Sequence, residues 1–230
     1  MNRETISFVG SYEDMDRKIL RYMDILELLN ILSGTFAVRK KSVWPDLRES
    51  GKSCDNLKYL AVFGEKVDED RLQEYGELCK KLRESKDMLA SCWTLNQTES
   101  MLMWSAYTQK RHGVLLKTTV GDFIASLGLS NYSVMGHSVN YGISLQGKSY
   151  LEALFTKDKY YKEEQEYRFY FEPNESGSFC VDPQKLVNSV VLDPFLDGRS
   201  FKAMAELLTA KYSFLKKKIC ESKIKVACRF

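Results

Sequence analysis

The chain has 230 residues, of which 44% are hydrophobic and 28% are charged, as in an ordinary globular protein. Lysine and arginine number 34 against 31 aspartates and glutamates, so the formal charge of +3 gives no basic footprint for nucleic acid or an anionic membrane. The amino-terminal segment has no apolar core of a secretory signal, and no stretch approaches the roughly 18 apolar residues that span a bilayer. These features predict a single domain over residues 1–230, in the cytoplasm and without membrane attachment.

The cysteines and histidines are too scattered to form a metal site. The six cysteines show no C-x-x-C spacing, and the two histidines, His112 and His137, do not stand at metal-ligand spacing from any of them. We therefore expect reduced thiols and no bound zinc.

The first half of the chain alternates between strand and helix patterns. A strand over Ile19 to Met23 precedes a helix whose leucines recur at helical spacing and which Gly34 ends. Asn96 and Glu99 stand in the spacing of a capping box before the next helix. Further strands are predicted over 35–44, 88–95 and 112–120, and further helices over 67–82 and 100–110.

The second half continues the alternation without repeats or low-complexity tracts. Helices are predicted over 121–128, 148–161 and 200–217, and strands over 137–144, 187–195 and the segment that begins near Glu166. The irregular order predicts an α+β fold with mostly antiparallel pairing.

Several segments, taken in order, resemble a bacterial family. These are "LRY" with the helix after it, "WPDLRE", "MLMWSAYTQKRHGVLLK", "VNYG", "KEEQEYRFYF", "VVLDPF" and "ESKI", which together cover nearly the whole chain. Their order and spacing are similar to the family catalogued as domain of unknown function 2971. Where that family has a Phe-Asn-Asp-Pro-like segment, this chain has "VWPDLRE", in which Asp46 and Glu49 match.

The segment "KEEQEYRFYFE" predicts a strand with two different faces. Period-two alternation from Glu166 puts Arg168, Tyr170 and Glu172 on the same face as Glu166 and turns the aromatic residues between them toward the core. Glu164 joins the polar face if the chain is extended that early.

A Glu-x-Glu pair at the start of a strand is similar to the motif of ADP-ribosyltransferases, which break the nicotinamide–ribose bond of NAD. This resemblance implies a fold of split antiparallel sheets with flanking helices. Positive charge develops on the ribose in such a reaction, and a fixed carboxylate stabilises it. The resemblance gives that role to Glu166, whereas Glu164 would activate or orient the acceptor.

The same resemblance implies a dinucleotide-binding arginine on an early strand, and Arg21 fits that place. A guanidinium binds phosphate through two parallel charge-assisted hydrogen bonds. Tyr22, Trp104 and Tyr107 would form the walls of the NAD site, with Arg168 nearby. The alternative is structural: an exposed ion-pair network for Glu166 and Arg168, core packing for Trp104 and Tyr107, and a plain surface charge for Arg21.

Three functions follow as hypotheses. The first is an NAD-consuming ADP-ribosyltransferase-like enzyme, a toxin or an antiviral-defence effector, with an unidentified protein or nucleic-acid acceptor and a possible neutralising or regulatory partner. The second is a nuclease that binds Mg²⁺ through Asp46, Glu164 and Glu166 beside Lys162. The third is a non-catalytic module that binds a nucleotide or a partner.

Overall fold

The computed structural model describes residues 7–9, 14–41, 69–108, 112–127, 133–142 and 149–225. The strands are β1 (Ser7–Val9), β2 (Lys18–Asp24), β3 (Thr35–Ala37), β4 (Arg39–Lys40), β5 (Leu89–Thr94), β6 (Gly113–Thr119), β7 (Ser133–Ser138), β8 (Asn140–Tyr141), β9 (Thr156–Lys157), β10 (Glu166–Phe171), β11 (Ser178–Cys180), β12 (Ser189–Leu192) and β13 (Ile219–Cys220). The α-helices are α1 (Ile25–Leu32), α2 (Glu69–Glu84), α3 (Met101–Tyr107), α4 (Val120–Ser126), α5 (Tyr150–Leu154), α6 (Pro183–Leu186) and α7 (Gly198–Lys211). Short 3-10 helices lie at Ser85–Asp87, Lys159–Glu164 and Ser213–Leu215. No helix in these ranges is both long and apolar enough to cross a membrane.

One large sheet organises the described part of the chain. Nine strands belong to it, in the order β1-β7-β10-β5-β2-β6-β12-β13, with β4 pairing with β5 beside this path. Within this sheet β1 with β7 and β12 with β13 are parallel pairs, and the other pairs are antiparallel. The predicted α+β class with mostly antiparallel pairing is confirmed.

The two halves of this sheet meet at a narrow joint. β2 pairs with β6 along its whole length, and β10 pairs with β5 along its whole length, but β2 and β5 pair at Leu20 and Thr94 alone. We call this pairing the β2–β5 joint. Beyond it the two strands no longer form ladder hydrogen bonds with each other in the described residues.

The two faces of the sheet are covered differently. The face we call the core face carries the largest apolar cluster, in which Trp93, Phe123 and Phe169 pack with residues of α1, α4, α6 and α7. On the opposite face, which we call the site face, there are two separate clusters. One joins α2 and α5 to Ala90 and Tyr170 of the sheet, and the other joins α3 to β2, β6 and β12.

Most predicted elements are present with shifted ends. The helix predicted over 148–161 is wrong after Leu154, because Thr156 and Lys157 pair with β8 as a strand instead. The capping box predicted at Asn96 and Glu99 is also wrong, since the Ser100 side chain caps α3 and Glu99 accepts hydrogen bonds from the segment after β13. A capping box does occur at α5, between Ser149 and Glu152.

A crowded glycine at the start of β6 gives a first stability prediction. A Cβ at Gly113 would lie 2.6 Å from the Thr108 side chain and 2.9 Å from an Asp193 carboxylate oxygen. We expect Gly113→Ala to lower the free energy of unfolding by about 1–3 kcal/mol, because overpacking forces these neighbours apart. Urea denaturation measures this, with Gly198→Ala as the control because nothing lies within 4 Å of its added Cβ. Equal losses in the two variants would contradict the crowding at Gly113.

Candidate functional site

Strand β10 presents its alternate residues to the two faces, as predicted. Tyr167, Phe169 and Phe171 are buried in the cluster of the core face. Glu166 and Arg168 lie on the site face, where they stand opposite Thr94 and Cys92 of β5. The polar side of β10 is not solvated, since Glu166 is 3% and Arg168 1% exposed. The expectation of an exposed ion-pair network is therefore wrong, and Glu172 lies beyond the strand in an exposed position.

The two carboxylates of the Glu-x-Glu pair converge on one ammonium group. Lys157 Nζ lies 2.6 Å from Glu164 Oε2 and 3.2 Å from Glu166 Oε2. The chain achieves this because Glu164 ends a 3-10 helix and Gln165 adopts a left-handed conformation, with φ of 43°, before β10 begins. Glu164 is thus not in phase with the strand, but the turn brings its side chain back to the same face.

Arg168 pairs with the Glu166 carboxylate on the same face of the sheet. Its Nε and Nη2 donate to the two carboxylate oxygens of Glu166 at 2.6 and 3.1 Å, and its Nη1 donates to the Leu154 carbonyl at 3.0 Å. This two-point pairing fixes the plane of the carboxylate. We call Lys157, Glu164, Glu166 and Arg168 the carboxylate cluster, and its formal charges cancel.

The cluster keeps Glu166 ionised. Burial by itself raises the pKa of this carboxyl, but the charges of Arg168 and Lys157 outweigh burial and lower the pKa to about 2. Glu166 is therefore a fixed negative charge at every ordinary pH.

Three tyrosines surround the carboxylate cluster. The Tyr107 hydroxyl donates to Glu164 Oε1 at 2.9 Å, and burial together with the Glu164 charge raises the pKa of this phenol. The Tyr141 hydroxyl accepts from the Glu166 amide at 2.7 Å, and burial raises its pKa to about 12. The ring of Tyr161 lies 4.5 Å from Lys157 Nζ. The phenols of Tyr107 and Tyr141 therefore remain protonated at neutral pH.

The cluster reaches the surface through one of its carboxylates. The Glu164 side chain is 18% exposed, and the Tyr107 residue beside it is 47% exposed. Glu163, Lys159 and Lys162 on the same 3-10 helix are exposed as well. A ligand that approaches this rim meets Glu164 and Tyr107 before it meets Glu166.

Cys92 is a further polar residue beside the carboxylate cluster that the sequence analysis did not single out. Its thiol is reduced and exposed, although both of its neighbours in β5, Ser91 and Trp93, are buried. It stands opposite Arg168 in the sheet, and its interaction with the Glu166 carboxylate helps to lower the pKa of that carboxyl. The alternation of β5 could have placed this side chain on the site face, but the sequence gives no signal that the residue is exposed there.

Arg21 lies on the other side of the sheet from Glu166, which contradicts the predicted NAD pocket between them. Its Nη1 donates to Ser91 Oγ at 2.6 Å and its Nη2 to Glu27 Oε1 at 2.5 Å, both outside the carboxylate cluster. The guanidinium also stacks over rings of the core face, at 5.3 Å from that of Phe36. The reason is the register: Leu20, Thr94 and Glu166 share one row and one face, so Arg21 must point to the opposite face.

Tyr22 and Trp104 are core residues and form no wall of an open site. Their rings pack edge to face at 5.0 Å, and Trp104 is 1% exposed. The Tyr22 hydroxyl accepts a hydrogen bond from the Ser100 amide. Of the three aromatic residues predicted to contact NAD, Tyr107 alone lies at the carboxylate cluster.

Of the predicted nuclease ligands, Glu164 and Glu166 lie together, but the described residues do not complete a metal site. Asp46 and Glu49 lie outside the described ranges. Lys162 is exposed, and no group of three or more histidine, cysteine, aspartate or glutamate side chains in those ranges could hold a metal ion. The described geometry thus offers no observation that favours metal-dependent cleavage.

Comparison with known proteins gives no match, whether with family models, with curated proteins or with solved structures. The resemblance to the family of domain of unknown function 2971 therefore stays a prediction.

Proposed function

We propose that the chain is an NAD-consuming enzyme of the ADP-ribosyltransferase type, in which Glu164 faces the substrate and Glu166 holds the site together. The observation that carries this proposal is the convergence of Glu164 and Glu166 on one lysine, beside the exposed ring of Tyr107. The exposed fractions of the two carboxylates, 18% and 3%, are the reason for giving Glu164 the role first expected of Glu166.

The proposed chemistry uses the accessible carboxylate electrostatically. The bond between ribose C1′ and the nicotinamide nitrogen breaks, and nicotinamide leaves with the electron pair. The positive charge that develops on the ribose is stabilised by the nearby Glu164 carboxylate. Tyr107 offers a flat apolar surface for the nicotinamide or the ribose. Water or a macromolecular nucleophile then bonds to C1′ and releases a proton.

Two features of the sheet and its surface support this proposal. The β2–β5 joint divides the large sheet into two halves, in keeping with the split sheets expected for an ADP-ribosyltransferase-like fold. Arg21 lies on the opposite face of the sheet and does not reach a diphosphate bound beside Glu164. Lys159 and Lys162, however, are exposed on the 3-10 helix that carries Glu164. Their ammonium groups supply the positive charge that a dinucleotide requires.

Release of nicotinamide from labelled NAD tests the proposal, with Glu164→Gln as the decisive variant. We expect the rate to fall by about 10²–10³-fold, the size of effect seen when one electrostatic group of an active site is removed. Glu163→Gln is the matched control, because it makes the same chemical change one residue away on an exposed side chain. Equal rates for the two variants, or no nicotinamide release by the unaltered protein, would overturn the proposal.

One observation favours a second candidate, a nucleotide-binding module without turnover. Every charge of the carboxylate cluster already has an opposite partner within the chain, as in a site that is held rigid and does not react. This candidate predicts that NAD raises the midpoint of thermal unfolding while no nicotinamide is released.

A further inference from the structure

Lysines are concentrated in one segment near the end of the described chain. Residues 211–225, which we call the lysine segment, contain six lysines and one acidic residue, Glu221, and so carry a net charge of +5. The whole chain carries +3, so the rest of the sequence is net negative, at −2. The modest overall charge conceals this segment, because an average over the chain does not describe how its charges are distributed.

Most of these lysines lack the acidic neighbour that surface lysines have elsewhere. On α7, for example, Lys202 pairs with Glu206 one helical turn away, at 4.0 Å. The lysine segment has one such pair among the described residues, between Lys225 and Glu221 at 3.4 Å. Four of its exposed lysines have no carboxylate of the described residues within ion-pair distance: Lys211, Lys216, Lys217 and Lys223. A group of like charges without counter-charges in the chain attracts an anionic partner.

The lysine segment leads to the amino end of α3. After β13, the Ser222 hydroxyl and the Lys223 amide donate to the Glu99 carboxylate at 2.5 and 2.9 Å. Ile224 then packs into the apolar cluster that joins α3 to β2, β6 and β12. The backbone of Lys223 is therefore fixed beside the first turn of α3.

Helix α3 connects this lysine to the candidate site. At the other end of the helix, the Tyr107 hydroxyl donates to Glu164 at 2.9 Å. The helix has seven residues and is thus about 10 Å long. Its sequence, "MLMWSAY", contains no charged residue, so no carboxylate on the helix repels an anionic strand that follows it. A polyanion bound at Lys223 can therefore extend to Glu164.

The side chains along this path fit a single-stranded polynucleotide better than a lipid bilayer. A helix that binds a membrane surface buries an apolar face in the lipid, but the lysine segment exposes no large hydrophobic side chain. Exposed rings lie at the far end of α3 instead, where Tyr107 is 47%, Tyr160 82% and Tyr161 39% exposed. Such rings stack on unpaired bases, while lysines neutralise the phosphates.

We propose that the lysine segment binds the phosphates of a single-stranded nucleic acid and directs the strand along α3 to Glu164, where it accepts ADP-ribose. The acceptor role rests on the proposed NAD-consuming function, whereas the binding rests on the lysines and the exposed rings. In the transfer, nicotinamide leaves with the electron pair of its bond to C1′. An amine or hydroxyl of the strand bonds to C1′, and the proton that this group loses passes to water.

Fluorescence anisotropy with labelled single-stranded oligonucleotides, one of RNA and one of DNA, tests the binding. We expect the triple variant Lys216→Gln/Lys217→Gln/Lys223→Gln to bind about tenfold more weakly than the unaltered protein. The slope of the logarithm of affinity against the logarithm of salt concentration should also become shallower by about 2, since each phosphate neutralised on a single strand contributes about 0.7.

Two controls accompany this measurement. The triple variant Lys80→Gln/Lys81→Gln/Lys86→Gln makes the same change in net charge on exposed lysines in and after α2, and should bind as the unaltered protein does. Tyr160→Leu should weaken binding of the single strand by about tenfold, because base stacking on this ring is lost. A duplex of the same sequence has no free base faces and should bind more weakly than the single strand.

Incubation of the protein with the oligonucleotide and with NAD labelled in its adenylate part tests the acceptor role. We expect label on the oligonucleotide. The variant Lys216→Gln/Lys217→Gln/Lys223→Gln should release nicotinamide at the unaltered rate but transfer about tenfold less label at low oligonucleotide concentration. Release of nicotinamide without label on the oligonucleotide would overturn the acceptor role.

The outcomes separate the inference from the function on which it partly rests. Equal binding by the two triple lysine variants, tighter binding of the duplex, or binding of anionic phospholipid vesicles in place of the oligonucleotides would overturn the inference and leave the proposed function standing. Oligonucleotide binding without any nicotinamide release would overturn the proposed function and the acceptor role, whereas the binding surface would stand.

Discussion

Replacing Arg168 by methionine is expected to lower the free energy of unfolding by about 3–5 kcal/mol, as for other buried ion pairs that lose one partner. The Glu166 carboxylate would lose both hydrogen bonds that Arg168 donates to it, at 2.6 and 3.1 Å, while it remains buried. Lys157 alone would remain as a counter-charge, and Glu164 shares it. Urea denaturation followed by circular dichroism measures the loss.

Two comparisons show whether the cost arises from an uncompensated charge. The double variant Glu166→Gln/Arg168→Met removes the charge together with its partner, so we expect it to be more stable than Arg168→Met alone. Lys202→Met breaks an ion pair on the surface of α7, where Nζ and the Glu206 carboxylate are 4.0 Å apart and both side chains are mostly exposed. Its expected effect is at most about 1 kcal/mol. Similar losses for Arg168→Met and Lys202→Met would contradict the buried position of the cluster.

The stability of the protein is expected to fall steeply in acid because of Glu166. Its pKa is lowered from the ordinary value of 4.5 to about 2 in the folded chain. A lowered pKa means that the unfolded state binds the proton first, so the contribution is fully present above about pH 4.5 and is lost as the pH falls toward 2. This group contributes on the order of 3 kcal/mol.

Urea titrations at a series of pH values between neutrality and strong acid measure this effect. Other carboxylates titrate in the same range, so the informative quantity is the difference between the unaltered protein and Glu166→Gln/Arg168→Met. We expect the variant to have the shallower dependence on pH. Parallel curves for the two proteins would show that Glu166 has an ordinary pKa in the folded state.

The sequence predicted the fold where local pattern decides the structure. The apolar spacing of α2, the alternation of β10 and the strand formers of β12 fixed the type of each element. The error at α5 has a local cause as well, since its capping box at Ser149 and Glu152 marks where the helix begins but no equally strong signal marks its end at Leu154. That error hid the role of Lys157, because a helix over 148–161 gives no sign of the strand pairing that carries this lysine to Glu164 and Glu166.

The arrangement of the site depends on contacts between distant strands, which local pattern does not contain. Alternation predicts that Arg21 and Leu20 lie on opposite faces of the sheet. Only the pairing of Leu20 with Thr94 and of Thr94 with Glu166 shows that Leu20, and not Arg21, shares a face with Glu166. The same holds for Glu166, whose charge suggested exposure. Period-two alternation predicts that Arg168 lies beside Glu166 on the same face. It does not predict that helices pack over both residues and bury them.

The strand order determines at which point of translation the large sheet can assemble. β10 lies between β7 and β5 but follows both along the chain, so neither of those strands can pair with it until residues 166–171 have emerged. Pairings between such distant segments are slow to form, and unpaired edges can join other chains meanwhile. A fragment that ends before β10 should therefore aggregate, and ribosome-bound chains should become resistant to protease only late in translation.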